Sequence, residues 1–331
     1  MNRMPSDPRC HPLVELGPSA VETMLAPLLR GAAVREIAPV EGGLTNTTVR
    51  VTAEDGEYAL RVYAAGRAAF DRETRLLPRL AGALPVPDVL LADDDAAGGH
   101  PCLVYRWIDG ITLNECRLQG PPAALATLAE PLGRRLARVA GFPVDGHALP
   151  LEEIRISARL ADADAQLRAG LARSRLGGVL ADGLRERLAA GARGLEALDG
   201  GPGLVHGDFG GRNILVRAAG IGGWEVSGVI DWESAATGAA LWDVGHLFRY
   251  PRRYSPAFRA AFARGYRAAG GTLPRGWWRL ARLLDTTRLV ATLDEARELP
   301  GVFAACREMI ASVVRDGVAR RPAAPELDAV T

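Results

Sequence analysis

Lysine is absent from all 331 residues, and the 40 basic side chains are arginines. That excludes Schiff-base catalysis and any phosphate-binding loop ending in Gly-Lys-Ser or Gly-Lys-Thr. Cysteine is scarce as well. Cys10, Cys102, Cys116 and Cys306 lie far apart without a Cys-x-x-Cys pair, so zinc ribbons, dithiol redox motifs and a disulfide framework lack support, and reduced structural thiols are expected. No stretch approaches the roughly 20 apolar residues of a membrane span, and the opening MNRMPSDPRCHP is polar and broken by three prolines. A cytoplasmic chain without a membrane partner is the expectation. Charge of one sign is not in excess: 40 basic residues face 39 acidic ones, which leaves no footprint for nucleic acid. What remains is 48% hydrophobic and 24% charged, the balance of a folded soluble protein, at a length that suits two lobes around a cleft.

Val21, Met24, Leu25, Leu28 and Leu29 stand at helical spacing within 19–30. The stretch VREIAPVEGGLTNTTVRVTAEDGEYALRVYAAG then reads as three short strands, turning at Gly42-Gly43 and at Asp55-Gly56. A second helix over about 67–82 carries Phe70, Leu76, Leu77 and Leu80, and the proline-marked segment after it supplies two more strands. From about 111 onward the pattern is mostly helical. Leucines at 125, 128, 132 and 136 trace one face, those at 184, 188, 195 and 198 another, and Phe258, Phe262 and Tyr266 a third. The glycine and alanine runs at 169–203 predict a mobile loop. The fold class is therefore α+β, with a β-rich lobe (five-stranded sheet plus one helix) ahead of a larger, mainly α-helical lobe.

The chemistry concentrates in LVHGDFGGRNILV at 204–216 and EVSGVIDWES at 225–234. With Gly222-Gly223 as a turn, Ile214 to Val216 and Val226 to Ile230 read as an antiparallel hairpin. Such a hairpin sets the start of its first strand beside the end of its second, so Asn213 meets Asp231, with Asp208 on the loop just before them. Hard oxygen donors, few in number and leaving room for water and phosphate, suit Mg²⁺ bound with a nucleotide better than zinc.

At this point the chain resembles a family, the aminoglycoside phosphotransferase and choline kinase-like small-molecule kinases, relatives of the protein kinases. The HGDxxxxN signature stands as His206-Gly207-Asp208 to Asn213, and the second metal motif as Ile230-Asp231-Trp232-Glu233. The resemblance implies a bilobal protein-kinase-like fold with an antiparallel sheet, divided into 1–106, a hinge at 107–110, and 111–331. It implies that Asp208 handles the proton of the attacking hydroxyl, that Asn213 and Asp231 hold Mg²⁺, and that ATP or GTP is the donor. It makes GGLTN (Gly42, Gly43, Thr45 and Asn46) the loop over the phosphates, Glu73 the carboxylate of the inserted helix, and Tyr105, Trp107 and Ile108 hinge positions facing the base. His206 would brace the catalytic loop, Asp243 would bond its backbone, and His11, His100, His147 and His246 would have no catalytic part. One position departs from the family: the third strand, YALRVY, presents Arg61 where lysine is usual, which keeps the charge and changes the geometry.

Only eleven residues separate Asp231 from Asp243, too few for the activation segment of a regulated protein kinase. A small hydroxylated acceptor is favoured, an antibiotic or a metabolite. The alternative is a nucleotide-binding module without turnover, which would need a defect at Arg61 or in acceptor binding. Residues 251–331 hold 14 arginines against 8 acids, a balance that disfavours a polycationic acceptor. Phe248, Tyr250, Tyr254, Trp277 and Trp278 could flank an acceptor, but their spacing reads more readily as core.

Overall fold

The computed structural model describes residues 12–40, 45–96, 98–144, 149–199, 201, 203–220 and 222–318. Helix α1 (Pro18–Leu29) leads into strands β1 (Val34–Pro39), β2 (Thr47–Ala53) and β3 (Gly56–Val62). Helix α2 (Arg67–Leu80) follows, and β4 (Val89–Asp93) and β5 (Cys102–Arg106) complete the sheet. Every pairing is antiparallel and the order is β1-β2-β3-β5-β4, the five-stranded sheet with one inserted helix that the sequence predicts. Along β2 buried and half-buried residues alternate, the period of a strand with one apolar face. That face, Val49 and Val51 joined by Leu60, Val62 and Val104, clusters with Val21 and Leu25 of α1. Successive strand residues point to opposite sides, so Leu60 and Val62 turn Arg61 away from α1 and toward the second lobe. On α2, Glu73 sits buried in the same stripe as Phe70, Leu77 and Leu80.

Residues 107–110 cross to the larger lobe. It contains β6 (Ile111–Thr112), α3 (Leu113–Gln119), α4 (Pro122–Ala140), β7 (Glu153–Ile154), α5 (Ile156–Ala169), α6 (Leu171–Leu176) and α7 (Gly178–Glu196). Then come β8 (Gly203–Val205), β9 (Ile214–Ala219), β10 (Gly223–Val229), β11 (Ala236–Gly238), α8 (Leu241–Leu247), α9 (Pro256–Ala268), α10 (Trp277–Asp294) and α11 (Pro300–Val318). The leucine stripe of α4 is core, with Leu128, Leu132 and Leu136 fully buried. Most of the aromatic set is core too: Phe248 is fully buried and meets Tyr254, Phe262 and Trp278 edge-on at centroid distances of 5.0–5.2 Å.

One expectation is overturned. Within the glycine and alanine runs at 169–203, where a mobile loop is expected, the described residues are largely helical, as α6 and α7, the latter burying Leu184, Leu188 and Leu195 of the expected leucine face. Alanines and leucines outweigh glycines there in helix propensity. Gly191 within α7 has a packing reason: a Cβ there would stand 2.4 Å from Leu283 Cδ2 of α10. Cys102, Cys116 and Cys306 are buried and unbridged, while Cys10 lies outside the described residues. Among the described residues no helix is long and apolar enough to cross a membrane.

Candidate active site

The β9–β10 hairpin and the loop before it build the centre of the site. Ile230 N–H donates to Asn213 O at 2.9 Å, adding one rung beyond the strands and setting Asn213 beside Asp231. Asn213 N–H closes a turn onto Gly210 O at 2.9 Å. The Asn213 side-chain amide donates to Asp208 Oδ2 at 2.8 Å and to Asp208 O at 3.0 Å. Asp208, Asn213 and Asp231 are thus brought together.

His206 braces this loop from beneath. Fully buried, it accepts the Asp208 N–H through Nδ1 at 3.1 Å, so its proton lies on Nε2, which faces Ile230 O at 3.0 Å. Asp243, at the start of α8, accepts the backbone N–H groups of His206 and Gly207 at 2.7 and 3.0 Å. Burial pushes the Asp243 carboxyl above its ordinary range, and His206 with the two backbone donors pulls it back. Gly207 takes φ +83°, and a Cβ there would lie 2.0 Å from Ser234 O, so only glycine fits.

Sequence reasoning missed the other face of Asp208. His246 Nε2 lies 3.1 Å from Asp208 Oδ1, and Arg288 Nη2 of α10 lies 3.7 Å from it. His246, expected to have no catalytic part, thus stands beside Asp208. Burial, together with Arg249 and Arg288, holds the His246 imidazole well below its usual range. Its Nδ1 is buried without a hydrogen-bond partner, so a proton there would find no acceptor. The neutral ring thus sets its Nε2 edge against the Asp208 carboxylate. Arg288 also donates to Gly207 O at 2.6 Å.

Arg61 is 7% exposed and reaches across from β3. Its Nη2 bonds Asp231 Oδ1 at 2.5 Å and Glu233 Oε2 at 2.8 Å. Burial acts against its charge, and Glu73 and Asp231 hold its pKa well above the usual guanidinium range. The pair with Glu73 is loose, Arg61 Nε standing 3.8 Å from Glu73 Oε2 and making no hydrogen bond. The Glu73 carboxylate instead accepts the Tyr63 hydroxyl and, at 2.6 Å, the Trp232 N–H. Glu233, quoted within the metal motif but given no role there, also accepts from the Asn46 amide at 2.5 Å, and its backbone carbonyl accepts from Arg72. Burial and the Asp231 charge push the Glu233 carboxyl up, against the pull of Arg61.

Gly42 and Gly43 of the predicted phosphate loop lie outside the described residues. Thr45 is half-buried. At the crossing, Tyr105 lies beside Arg61, its hydroxyl raised by burial above its ordinary range. Trp107 lies 4.6 Å under the Arg50 guanidinium, and Arg50 bonds Glu57 at 2.6 Å. Ile108 packs on β10, where a Cβ added to Gly228 would meet Ile108 Cγ2 at 3.0 Å. Arg50 was not anticipated, although its inward place in TTVRVTA follows from the strand period.

Three carboxylates, Glu73, Asp231 and Glu233, surround one guanidinium, an excess of negative charge that a cation would complete. The Asp231 carboxylate and the Asn213 amide oxygen are hard donors, two in number, the protein share of a site that phosphates and water finish. These residues fit Mg²⁺. Beside Gly207 and Glu233 opens a cavity of about 440 Å³, bounded by Trp242 of α8 and by Arg288 and Thr292 of α10, within the size range of small-molecule sites.

The antiparallel lobe, the helical lobe and the loop and hairpin facing their junction define a protein-kinase-like fold. The profile of the phosphotransferase enzyme family matches residues 36–283, and the chain belongs to that family. Its fold is similar to the GDP complex of wild-type aminoglycoside 2'-phosphotransferase-IIIa, at 18% identity and a TM-score of 0.68 over 91% of this chain and 100% of that one. It is also similar to APH(2")-IIia in complex with GDP and kanamycin, at 18% identity and a TM-score of 0.63 over 89% and 96%. A third likeness is to a thermostable mutant of aminoglycoside phosphotransferase APH(4)-Ia with AMP-PNP and hygromycin B, at 18% identity and 0.63 over 91% and 100%. No curated protein matches the sequence.

Proposed function

We propose that this chain transfers the γ-phosphoryl group of ATP or GTP to a hydroxyl of a small molecule. The observation that carries it is the convergence of Asp208, Asn213 and Asp231 on one loop and hairpin, with Arg61 reaching the same place from the other lobe. The nucleotide enters between the lobes, divided at 107–110, under the loop containing Thr45 and Asn46 and against Tyr105, Trp107 and Ile108. Asn213 and Asp231 are the residues that hold Mg²⁺, whose charge neutralises the phosphate oxygens. Arg61, with Nε uncommitted, supplies a planar donor to those oxygens. The acceptor occupies the cavity beside Gly207. Asp208, oriented by the Asn213 amide and flanked by His246, takes the hydroxyl proton as the acceptor oxygen bonds to the γ-phosphorus. The bond from that phosphorus to the bridging oxygen breaks, and a nucleoside diphosphate leaves. The related aminoglycoside enzymes crystallised with GDP and with AMP-PNP support a nucleoside triphosphate as donor.

The eleven residues after Asp231 form a short 3₁₀ turn and then β11, which pairs with β7 and β8; this supports a small acceptor over a peptide. The test is a mass-spectrometric screen of hydroxylated natural products with Mg²⁺ and either ATP or GTP. The expected result is one phosphoryl group added to at least one compound, with Asp208→Asn lowering kcat by about 10²- to 10⁴-fold while nucleotide affinity holds. Transfer that survives Asp208→Asn, or affinity lost in step with turnover, refutes the assignment.

A further inference from the structure

The lining of the 440 Å³ cavity carries three arginines, Arg72, Arg159 and Arg288, and three acids, Glu152, Glu153 and Glu233. The two sets are not equivalent. Glu233 is held by Arg61 and Asn46, and Glu153 by Arg155 at 2.9 Å. The arginines are satisfied differently: Arg72 donates to the neutral carbonyl of Glu233, and Arg288 donates to that of Gly207 and stands 3.7 Å from the Asp208 carboxylate. Among the described residues this leaves Arg72 and Arg159 as the lining cations without a carboxylate partner. Arg159, exposed on α5, has its guanidinium 5.9 Å from the Trp242 ring. A carbonyl or a ring leaves the positive charge uncancelled, whereas a salt bridge does not. Glu152 is exposed at β7, where its backbone carbonyl holds Thr237. The Trp242 ring stands between two guanidiniums, Arg288 at 5.0 Å and Arg159 at 5.9 Å. Arg288 is the one beside Asp208. The cavity therefore runs from Gly207, the residue before Asp208, over an indole, to an exposed cation. Burial, with Arg249, holds the Arg288 pKa below its ordinary range against the opposing pull of Asp285, Asp208 and Asp243.

Resting on the phosphotransferase reading of the site, we propose that its acceptor is a hydroxylated anion, a polyol bearing a carboxylate or phosphate group. Its anionic end sits on Arg159 and its reacting hydroxyl turns toward Asp208. An aminoglycoside, which is polycationic, meets the wrong charge here.

The test uses the full-length chain saturated with Mg²⁺ and AMP-PNP or GMP-PNP. It is titrated calorimetrically at low ionic strength with a matched hexose series: glucose, glucosamine, gluconate and glucose 6-phosphate, with kanamycin as a polycation. At least one anionic probe should bind ten times more tightly than glucose, and glucosamine more weakly than glucose. Gluconate in the lead selects the carboxylate source, and glucose 6-phosphate the phosphate source. Arg159→Ala should bring the anionic and neutral probes within about twofold, Arg159→Lys should keep most of the preference, and nucleotide affinity should stay within twofold in both. Equal binding of the four hexoses overturns the proposal. So does tighter binding of glucosamine or kanamycin, no binding of either anion at millimolar concentration, or an anion preference intact in Arg159→Ala. If neither nucleotide analogue binds, the phosphotransferase reading fails instead. The series on the nucleotide-free chain, with and without Arg159, then still decides which charge the cavity selects.

Discussion

At the scale of single residues, Arg61 carries the most consequence, because it stands where kinase-like folds usually present lysine. An ammonium is a point charge, but the guanidinium bonds both Asp231 and Glu233 through one nitrogen, Nη2, and keeps Nε uncommitted. Removing one charge-assisted contact costs about 1.5–3 kcal/mol. Arg61→Ala is thus expected to weaken nucleotide affinity by roughly one to two decades and to lower kcat as well, and Arg61→Lys to restore only part of either. Affinity and turnover unchanged in Arg61→Ala would remove the residue from the phosphate site. His246 allows a prediction about pH. Its folded-state pKa is depressed, so below about pH 6.5, the ordinary histidine value, the unfolded chain takes up a proton that the folded chain refuses. The stability that neutral His246 contributes is complete above that pH and is lost as the pH falls toward the folded value, with a slope of up to about 1.4 kcal/mol per pH unit. His246→Gln keeps a polar amide beside Asp208 but cannot titrate. Urea unfolding between pH 7.5 and 5 should show a shallower loss of stability in the variant, and parallel curves would refute the claim.

At the scale of elements, the site rests on α8 and α10 as much as on the hairpin. Arg249, just after α8, forms a two-bond pair with Asp285 of α10 at 2.7 and 2.8 Å, the carboxylate being 3% exposed. Asp285 thereby occupies a cation that would otherwise have Asp208 as its neighbouring carboxylate, since Asp208 already raises the Arg249 pKa. Breaking a buried pair from one side costs about 3–5 kcal/mol because the other charge is stranded. Asp285→Ala should lose stability on that scale in chemical denaturation, and a loss under 1 kcal/mol would mean that Arg249 finds another partner. What was legible in the sequence follows the same division. The five strands, α2 and the hairpin could be read because their signals are local: alternation, turn glycines, and two motifs twenty residues apart that one hairpin closes. Glu73 was legible only through the family resemblance. Arg72, Trp242, His246 and Arg288 were not, because each looks like an ordinary helix residue until packing brings α2, α8 and α10 against Gly207. The leucine face of α7 was legible, but the extent of helix through 169–196 was not, because a glycine such as Gly191 serves helix-to-helix contact, which no single segment records.

At the scale of the whole molecule, the two lobes are tied through residues 231–233. Arg61 to Asp231 and Glu233, Asn46 to Glu233, Arg72 to the Glu233 carbonyl, and Glu73 to the Trp232 N–H all cross from the small lobe to this one turn. Asp231 itself sits at φ 68° and ψ 62°, a left-handed conformation that aspartate and asparagine tolerate better than other residues with a Cβ. The same carboxylate therefore ties the lobes through Arg61 and is the one the proposed function gives to the metal. Binding of Mg²⁺ with a nucleotide exchanges one set of cross-lobe contacts for another, so it should register as stability of the whole chain. At a hundredfold excess over Kd, ligand binding adds about 2.7 kcal/mol, which for a chain of this size is on the order of 5 °C in Tm. Asp231→Asn keeps the backbone preference and removes the charge. In thermal scans with nucleotide it is expected to lose the increment that Mg²⁺ adds over EDTA, while the smaller shift from nucleotide alone persists. An undiminished Mg²⁺ increment in Asp231→Asn would leave Asp231 as a latch between the lobes and send the search for the metal ligand to Glu233, the other carboxylate on Arg61.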